Sequence, residues 1–196
     1  MPQGELFAPA QALPEGFDYR ADFITAEEEA DLLAEIGELP LREAQYKEFT
    51  AKRRIVTYGG TYDFSSNELL PAGPIAIFLH GLRERLAAWA AVPAQEFMHA
   101  VIAEYQTGTQ LGWHRDVPEF ELVCGVSLAG AARMRLRRYP HRKGSRAQTL
   151  AITLEPRSAY ILRGEVRWRW QHSIPPTKNL RYSITFRSRR RIEATA

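Results

Sequence analysis

A histidine and an aspartate stand two residues apart in the stretch GWHRDVPEF, as His114 and Asp116. In a strand, residues i and i+2 project from one face. An imidazole and a carboxylate so placed can share one metal ion. Two histidines and one carboxylate with open coordination positions are the ligand set of non-haem Fe(II) oxygenases. Alone the pair is an unspecific signal, because the same spacing occurs on ordinary polar strands.

A third ligand has to come from elsewhere. The chain holds five histidines. His80 falls in a helical pattern, His99 at the start of a β-rich half, and His141 in the basic turn YPHRKG, which reads as exposed. His172 closes the aromatic run VRWRWQHSIPP, where Pro175 and Pro176 stop the strand. It either reaches the mouth of the same barrel as the pair or is an ordinary hydrogen-bonded histidine. The final strand, RYSITFR, puts Arg181, Ser183, Thr185 and Arg187 on one face and Tyr182, Ile184 and Phe186 on the other. The polar face lies either in water or in a cavity. In the cavity, two arginines roughly 20 Å apart at the backbone can lean over opposite ends of a short dianion. A buried guanidinium requires such a partner.

These segments, HRD, then His172, then RYSITFR, resemble in order and spacing the AlkB-like Fe(II)/2-oxoglutarate dioxygenases. The resemblance extends over nearly the whole chain, from the FITAEEEADLL helix to TFR. It implies that His114, Asp116 and His172 ligate Fe(II), and that Arg181 binds the distal carboxylate of 2-oxoglutarate. Arg187 is then near the metal-bound end of that molecule, Ser183 lends a hydroxyl, and Tyr105 touches the co-substrate. Ala103 stands where the family has an asparagine. The stretch RRIVTYGGTYDF, residues 53–64, resembles the family's nucleotide-recognition segment, with Arg54, Tyr58 and Tyr62 facing a flipped base or a phosphate. The implied activity is oxidative demethylation of N-alkylated bases in DNA or RNA. It consumes O2 and 2-oxoglutarate and releases formaldehyde, succinate and CO2. Pro118 departs from the pattern, since several members carry an acidic base-reading residue there, and Glu119 beside it is the substitute candidate. Two other readings stay open: a 2-oxoglutarate oxygenase acting on a protein or small molecule, and a nucleic-acid-binding module with a vestigial metal site.

The elements that must position these residues follow from pattern. Residues 1–22, rich in Pro and Gly, read as an irregular arm, and 23–196 as one dioxygenase domain. Thr25 and Glu28 form a capping box opening a helix with the stripe Leu32, Leu33, Ile36. PIAIFLHGLRERLAAWAA reads as a second helix with Ile77, Leu82, Leu86 and Trp89 in the core. Residues 53–64 read as a hairpin or bent edge strand about Gly59-Gly60. From 96 to 191 short β-type runs follow one another, VRWRWQHSI among them. The expected fold is mainly β with flanking helices, a double-stranded β-helix (jelly roll) core preceded by two N-terminal helices.

At 196 residues, 45% hydrophobic and 25% charged, the chain suits one globular domain. No apolar run approaches the roughly 18 residues of a membrane span. The N-terminus lacks the basic and apolar regions of a secretory signal. The single cysteine, Cys124, lies in an apolar run and reads as a buried strand thiol. These features point to a cytoplasmic setting and a monomer. The net charge is only +3, yet Arg133, Arg135, Arg137, Arg138, Arg142, Lys143 and Arg146 crowd one span, and Arg187, Arg189, Arg190 and Arg191 follow. In a nucleic-acid-processing family, a hairpin so charged tracks phosphates.

Overall fold

The computed structural model describes residues 13–46, 49–63, 68–140 and 149–190. Its strands in chain order are β1 (Phe17–Arg20), β2 (Arg42–Tyr46), β3 (Phe49–Tyr58), β4 (Thr61–Asp63), β5 (Glu68–Leu70), β6 (Phe97–Tyr105) and β7 (Leu111–His114). They continue with β8 (Phe120–Leu128), β9 (Ala132–Arg138), β10 (Leu150–Leu154), β11 (Ala159–Leu162), β12 (Trp170–Ile174) and β13 (Arg181–Arg189). The helices are α1 (Ala26–Gly37), α2 (His80–Ala90) and the short α3 (Gly164–Arg169). A larger sheet has the order β1-β11-β8-β13-β6-β3-β2, a smaller one the order β10-β9-β12-β7, and β4 pairs only with β5. Every pairing is antiparallel. This is the double-stranded β-helix expected from the pattern.

The larger sheet is covered on both sides, so its central strands are apolar almost throughout. One face packs Leu122, Cys124, Val126, Leu128, Ile184 and Phe186 against Leu32 and Ile36 of α1 and Leu82 and Leu86 of α2. The other face sends Val123, Tyr160 and Leu162 between the sheets, where they meet Met134, Leu136, Trp170 and Ile174 of the smaller sheet. Period-2 alternation therefore sorts each strand into a helix face and a cavity face. The thiol of Cys124 is fully buried on the helix face, and burial pushes its pKa up to about 12.

α1 starts at the expected capping box. The Thr25 side chain accepts from the Glu28 amide and Glu28 accepts from the Thr25 amide, which is worth about 1 kcal/mol. Glu29 on its first turn is buried and accepts from the Ala129 amide at 2.9 Å and from Arg157 at 3.2 Å, tying α1 to two loops of the larger sheet.

Several expectations need correction. The arm is not irregular throughout. Phe17 to Arg20 forms β1, whose Phe17 packs between the sheets, a two-residue alternation hidden by flanking Pro and Gly. Ile77 is 85% exposed, because a 3-10 turn at Ile77–Leu79 shifts the phase and buries Leu79 instead. The described part of 53–64, residues 53–63, does not form a hairpin or an edge strand. β3 lies inside the larger sheet between β2 and β6, and the chain leaves it at Gly59 to begin the separate β4–β5 pair. Gly59 has φ +78°, and a Cβ there would collide with the Met98 carbonyl oxygen. The run VRWRW is not a strand: Gly164–Arg169 turns as α3, and β12 begins only at Trp170. No described helix is long and apolar enough to cross a membrane.

Candidate active site

His114 ends β7, and His172 lies directly opposite it in the middle of β12. Directly paired residues share a face, so both imidazoles project between the sheets, with ring centroids 4.2 Å apart. The chain then curls past the end of β7 and brings Asp116 to the same spot, with its Oδ2 3.7 Å from His172 Nε2. One ligand atom from each of the three lies within 4.8 Å of the others, a group that can hold a metal ion. The Nδ1 of His114 is 2.9 Å from the Gly112 carbonyl oxygen. That bond fixes the ring and leaves Nε2 for a metal.

The charges around the cluster suit a cation. Burial, the largest influence, lowers the pKa of His114 and pushes that of His172 down to about 3, so both rings are neutral. Burial pushes the Asp116 carboxyl up, but the Arg187 guanidinium, with Arg167 further off, overrides it and holds it well below the usual carboxylate range. The group is thus two neutral imidazoles and one carboxylate, the deprotonated set that a metal requires.

β13 supplies the second half of the site. Arg181, Ser183, Thr185 and Arg187 all face the cavity. Arg181 is only 2% exposed. Its Nε donates to Ser127 Oγ at 3.0 Å, and its guanidinium lies 5.0 Å from the centre of the Tyr105 ring, the residue opposite it on β6. No carboxylate pairs with it among the described residues. A buried cation without an anion costs several kcal/mol, so this pocket suits an acidic ligand. Arg187 is engaged differently: Nε donates to Asp116 Oδ1 at 2.8 Å and Nη1 to Thr185 Oγ1 at 3.0 Å. The buried Ser183 shares the same face.

Four residues escaped the sequence reading. Arg167 of α3 is 3% exposed and donates through Nη2 to the carbonyls of Val117 and Phe120 at 2.7 and 2.6 Å, clamping the loop that follows Asp116. Its only sequence signal is a basic position in an aromatic run, a pattern that favours a strand. Arg53 takes the cavity face of β3, in phase with Ile55 opposite Ala103, and its Nε is buried without a partner among the described residues. His99 is buried beside Phe120, ring centroids 4.7 Å apart, and burial pushes its pKa down to about 3. Tyr160 reaches into the cavity from β11.

The substrate candidates are more dispersed. Arg54 and Tyr58, expected to face a flipped base, lie on the helix face of β3. Arg54 forms two hydrogen bonds with Glu104, at 2.8 and 2.7 Å, and Tyr58 packs on the helix-side core. The Tyr62 side chain lies outside the described residues, as do His141, Arg142, Lys143, Arg146 and Arg191. Glu119 lies in the loop after Asp116, and its Oε2 is buried with no partner among the described residues. Arg133, Arg135 and Arg137 point outward from the smaller sheet. Arg135 bonds Ser173, Arg137 bonds Gln171, and their guanidinium groups lie 5.0 and 4.2 Å from the Trp113 ring centre. Arg138 faces the other way and pairs with Glu165 at 2.9 Å.

Comparison with known proteins agrees with this geometry. The family model described as 2OG-Fe(II) oxygenase superfamily matches residues 16–195. An Arabidopsis thaliana protein named alkylated DNA repair protein ALKBH8 homolog is 29% identical over 199 residues, covering 89% of this chain and 55% of its own length. The chain thus spans about half of that relative. The uncharacterized protein L905 of Acanthamoeba polyphaga mimivirus is 26% identical over 190 residues, covering 88% of this chain and 84% of its own. Among solved structures, OsALKBH1 superposes with a TM-score of 0.71 at 14% identity, over 91% of this chain and 100% of its own. A Pseudomonas putida prolyl-4-hydroxylase gives 0.59, also at 14% identity, over 89% and 93%. The donor set, the buried arginine and the matched residues agree: the chain belongs to the 2OG-Fe(II) oxygenase superfamily, which works with Fe(II), 2-oxoglutarate and O2.

Proposed function

We propose that this enzyme oxidatively demethylates N-alkylated bases in DNA or RNA. His114, Asp116 and His172 hold Fe(II). Arg181 takes the distal carboxylate of 2-oxoglutarate, with Tyr105 and Ser183 lining the same pocket. Arg187 orients Asp116 beside the metal-bound end of the co-substrate. When bound, the iron with 2-oxoglutarate and O2 supplies the oxidation of an N-alkyl carbon, after which formaldehyde leaves the base. The protein's own part is to fix the ligands, neutralise the diacid and exclude water.

The observation that carries the nucleic-acid reading is the outer face of the smaller sheet. There Arg135 and Arg137 lie over Trp113 and Arg133 shares their face of β9, a mixture of cations and an aromatic plane suited to phosphates and bases. The name of the Arabidopsis relative and the orphaned carboxylate oxygen of Glu119, which suits an amino-group donor on a base, support it. Arg138, exposed on the opposite face of β9 and paired with Glu165, does not take part. Pro118 favours a second reading, a 2-oxoglutarate oxygenase acting on a protein or small molecule.

A panel of N-methylated DNA and RNA oligonucleotides, assayed for formaldehyde with and without Fe(II) and 2-oxoglutarate, tests the proposal. Release that requires both is the expected result. Turnover of 2-oxoglutarate to succinate with no methyl loss from any oligonucleotide would establish the second reading instead.

A further inference from the structure

β9 carries Arg133, Arg135 and Arg137 at alternate positions, with Met134 and Leu136 between them turned into the core. The three arginines therefore form one stripe on the outer face of the smaller sheet. Tyr139, directly after the strand and 43% exposed, extends the stripe to about 20 Å by the rise per residue. Two aromatic planes are set into this charge. Arg135 and Arg137 lie over Trp113 of β7, and Arg115 lies over the Tyr139 ring, 4.0 Å from its centre. Three of the guanidinium groups are also braced by hydrogen bonds: Arg135 to Ser173, Arg137 to Gln171, and Arg115 to the Trp168 carbonyl at 2.9 Å. None of Arg115, Arg133, Arg135 and Arg137 pairs with a carboxylate among the described residues. The residues paired with β9 on this face, Ala151, Thr153, Gln171 and Ser173, are uncharged.

This face is the reverse of the cavity. On β7, His114 projects between the sheets and Trp113 away from them. A nucleotide stacked on Trp113 is thus not the one whose base reaches the iron ligands. A strand that touches both has to pass around the free edge of β7, the short outermost strand of its sheet. The exposed Arg115, between Trp113 and Asp116 in the chain, stands on that route. Paired bases present only their edges, whereas unpaired bases stack on aromatic and guanidinium planes. Cations held in a row without acids suit successive phosphates. Together these features fit a single strand better than a duplex. They also fit it better than an acidic peptide, which brings no base to stack.

We propose that the outer face of the smaller sheet is an exosite for single-stranded nucleic acid. It holds the nucleotides that flank the one in the cavity, with Trp113 and Tyr139 as stacking stations. The proposal rests on the nucleic-acid reading of the substrate and deepens it. Affinity comes from the back of the sheet and chemistry from the front, so the target has to be long enough to turn the β7 edge.

Anisotropy titrations with an unmethylated single-stranded oligonucleotide, the same sequence as a duplex, and polyglutamate test it. The wild type should bind the single strand tightest. Losing one stacking partner weakens binding roughly 5- to 150-fold. Trp113→Ala and Tyr139→Ala should each weaken single-strand binding by that factor, while Tyr139→Phe, which keeps the plane, stays near wild type. Tyr139 is exposed beyond the strand end, so its variants keep the test decisive even where Trp113→Ala fails to fold. In a single strand carrying 5-iodouracil, irradiation should attach the base to Trp113 or Tyr139. Equal binding of duplex or polyglutamate, affinities unmoved by both alanine variants, or attachment confined to cavity residues overturns the proposal. Formaldehyde release from methylated oligonucleotides alongside unmoved affinities leaves the demethylase reading standing without the exosite. Weakened binding in the variants with no formaldehyde from any oligonucleotide supports the surface and overturns the demethylase reading.

Discussion

Asp116 receives the Arg187 guanidinium on one oxygen and faces the two histidines with the other. A ligand held by an outer partner is pre-aimed, and removing such a partner typically costs 10- to 100-fold in metal affinity. Arg187→Met should therefore weaken Mn(II) binding by about that factor, measured by titration, while His172→Ala should abolish both metal binding and turnover with the fold retained. Activity surviving in His172→Ala would remove that residue from the ligand set. Arg181→Ala should raise the 2-oxoglutarate requirement far more than it weakens oligonucleotide binding. At this scale the sequence was informative. His114 and Asp116 stand two residues apart, and the polar side of RYSITFR could be listed residue by residue. The place of Tyr160 in the cavity was not visible, because its ring lies over a glycine in a different strand.

The elements show why phase was harder to read than type. β3 was legible as a strand from its β-formers, but not which alternate set of side chains faces the cavity. A one-residue shift exchanges Arg54 for Arg53, and only the pairing of Ile55 with Ala103 settles it. Likewise the aromatic residues of VRWRW favour a strand locally, yet α3 turns there and places Arg167 against two carbonyls. Substituting that clamp with Met removes two hydrogen bonds from a buried charged donor. The expected loss is about 2 kcal/mol or more in urea denaturation. Gly59→Ala at the exit of β3 meets both a positive φ and the Met98 carbonyl, and should cost more than about 1 kcal/mol.

For the whole molecule, two kinds of charge behave differently. The outward arginines act on partners. If they track phosphates, Arg133→Ala and Arg137→Ala should each lower oligonucleotide affinity evenly across sequences and reduce the salt slope by about one. Slopes unchanged by both substitutions would move the nucleic-acid surface elsewhere. The buried histidines act on stability. His99 and His172 have pKa values pushed down to about 3 from 6.5, so the unfolded chain binds protons between those values that the folded chain does not. The metal-free protein should be fully stable above about pH 6.5 and lose stability as the pH falls toward 3. His99→Phe should flatten that slope in denaturation curves taken at successive pH values. The overall fold was legible because a run of short strands after two helices permits few closed arrangements. The division of those strands into helix and cavity faces was not, since it arises from pairings far apart in the chain.

β7 is an edge strand of four residues, joined to the smaller sheet through β12 alone, yet it carries His114 inward and Trp113 outward. Such margins open readily, and their amide protons exchange early. An ion held by His114 and His172 would rivet this margin to its neighbour. Loading the metal should slow deuterium uptake at the β7 amides more than in the inner strands. Because Trp113 stands on the reverse side of the same short strand, its emission becomes a built-in gauge of whether the rivet is in place.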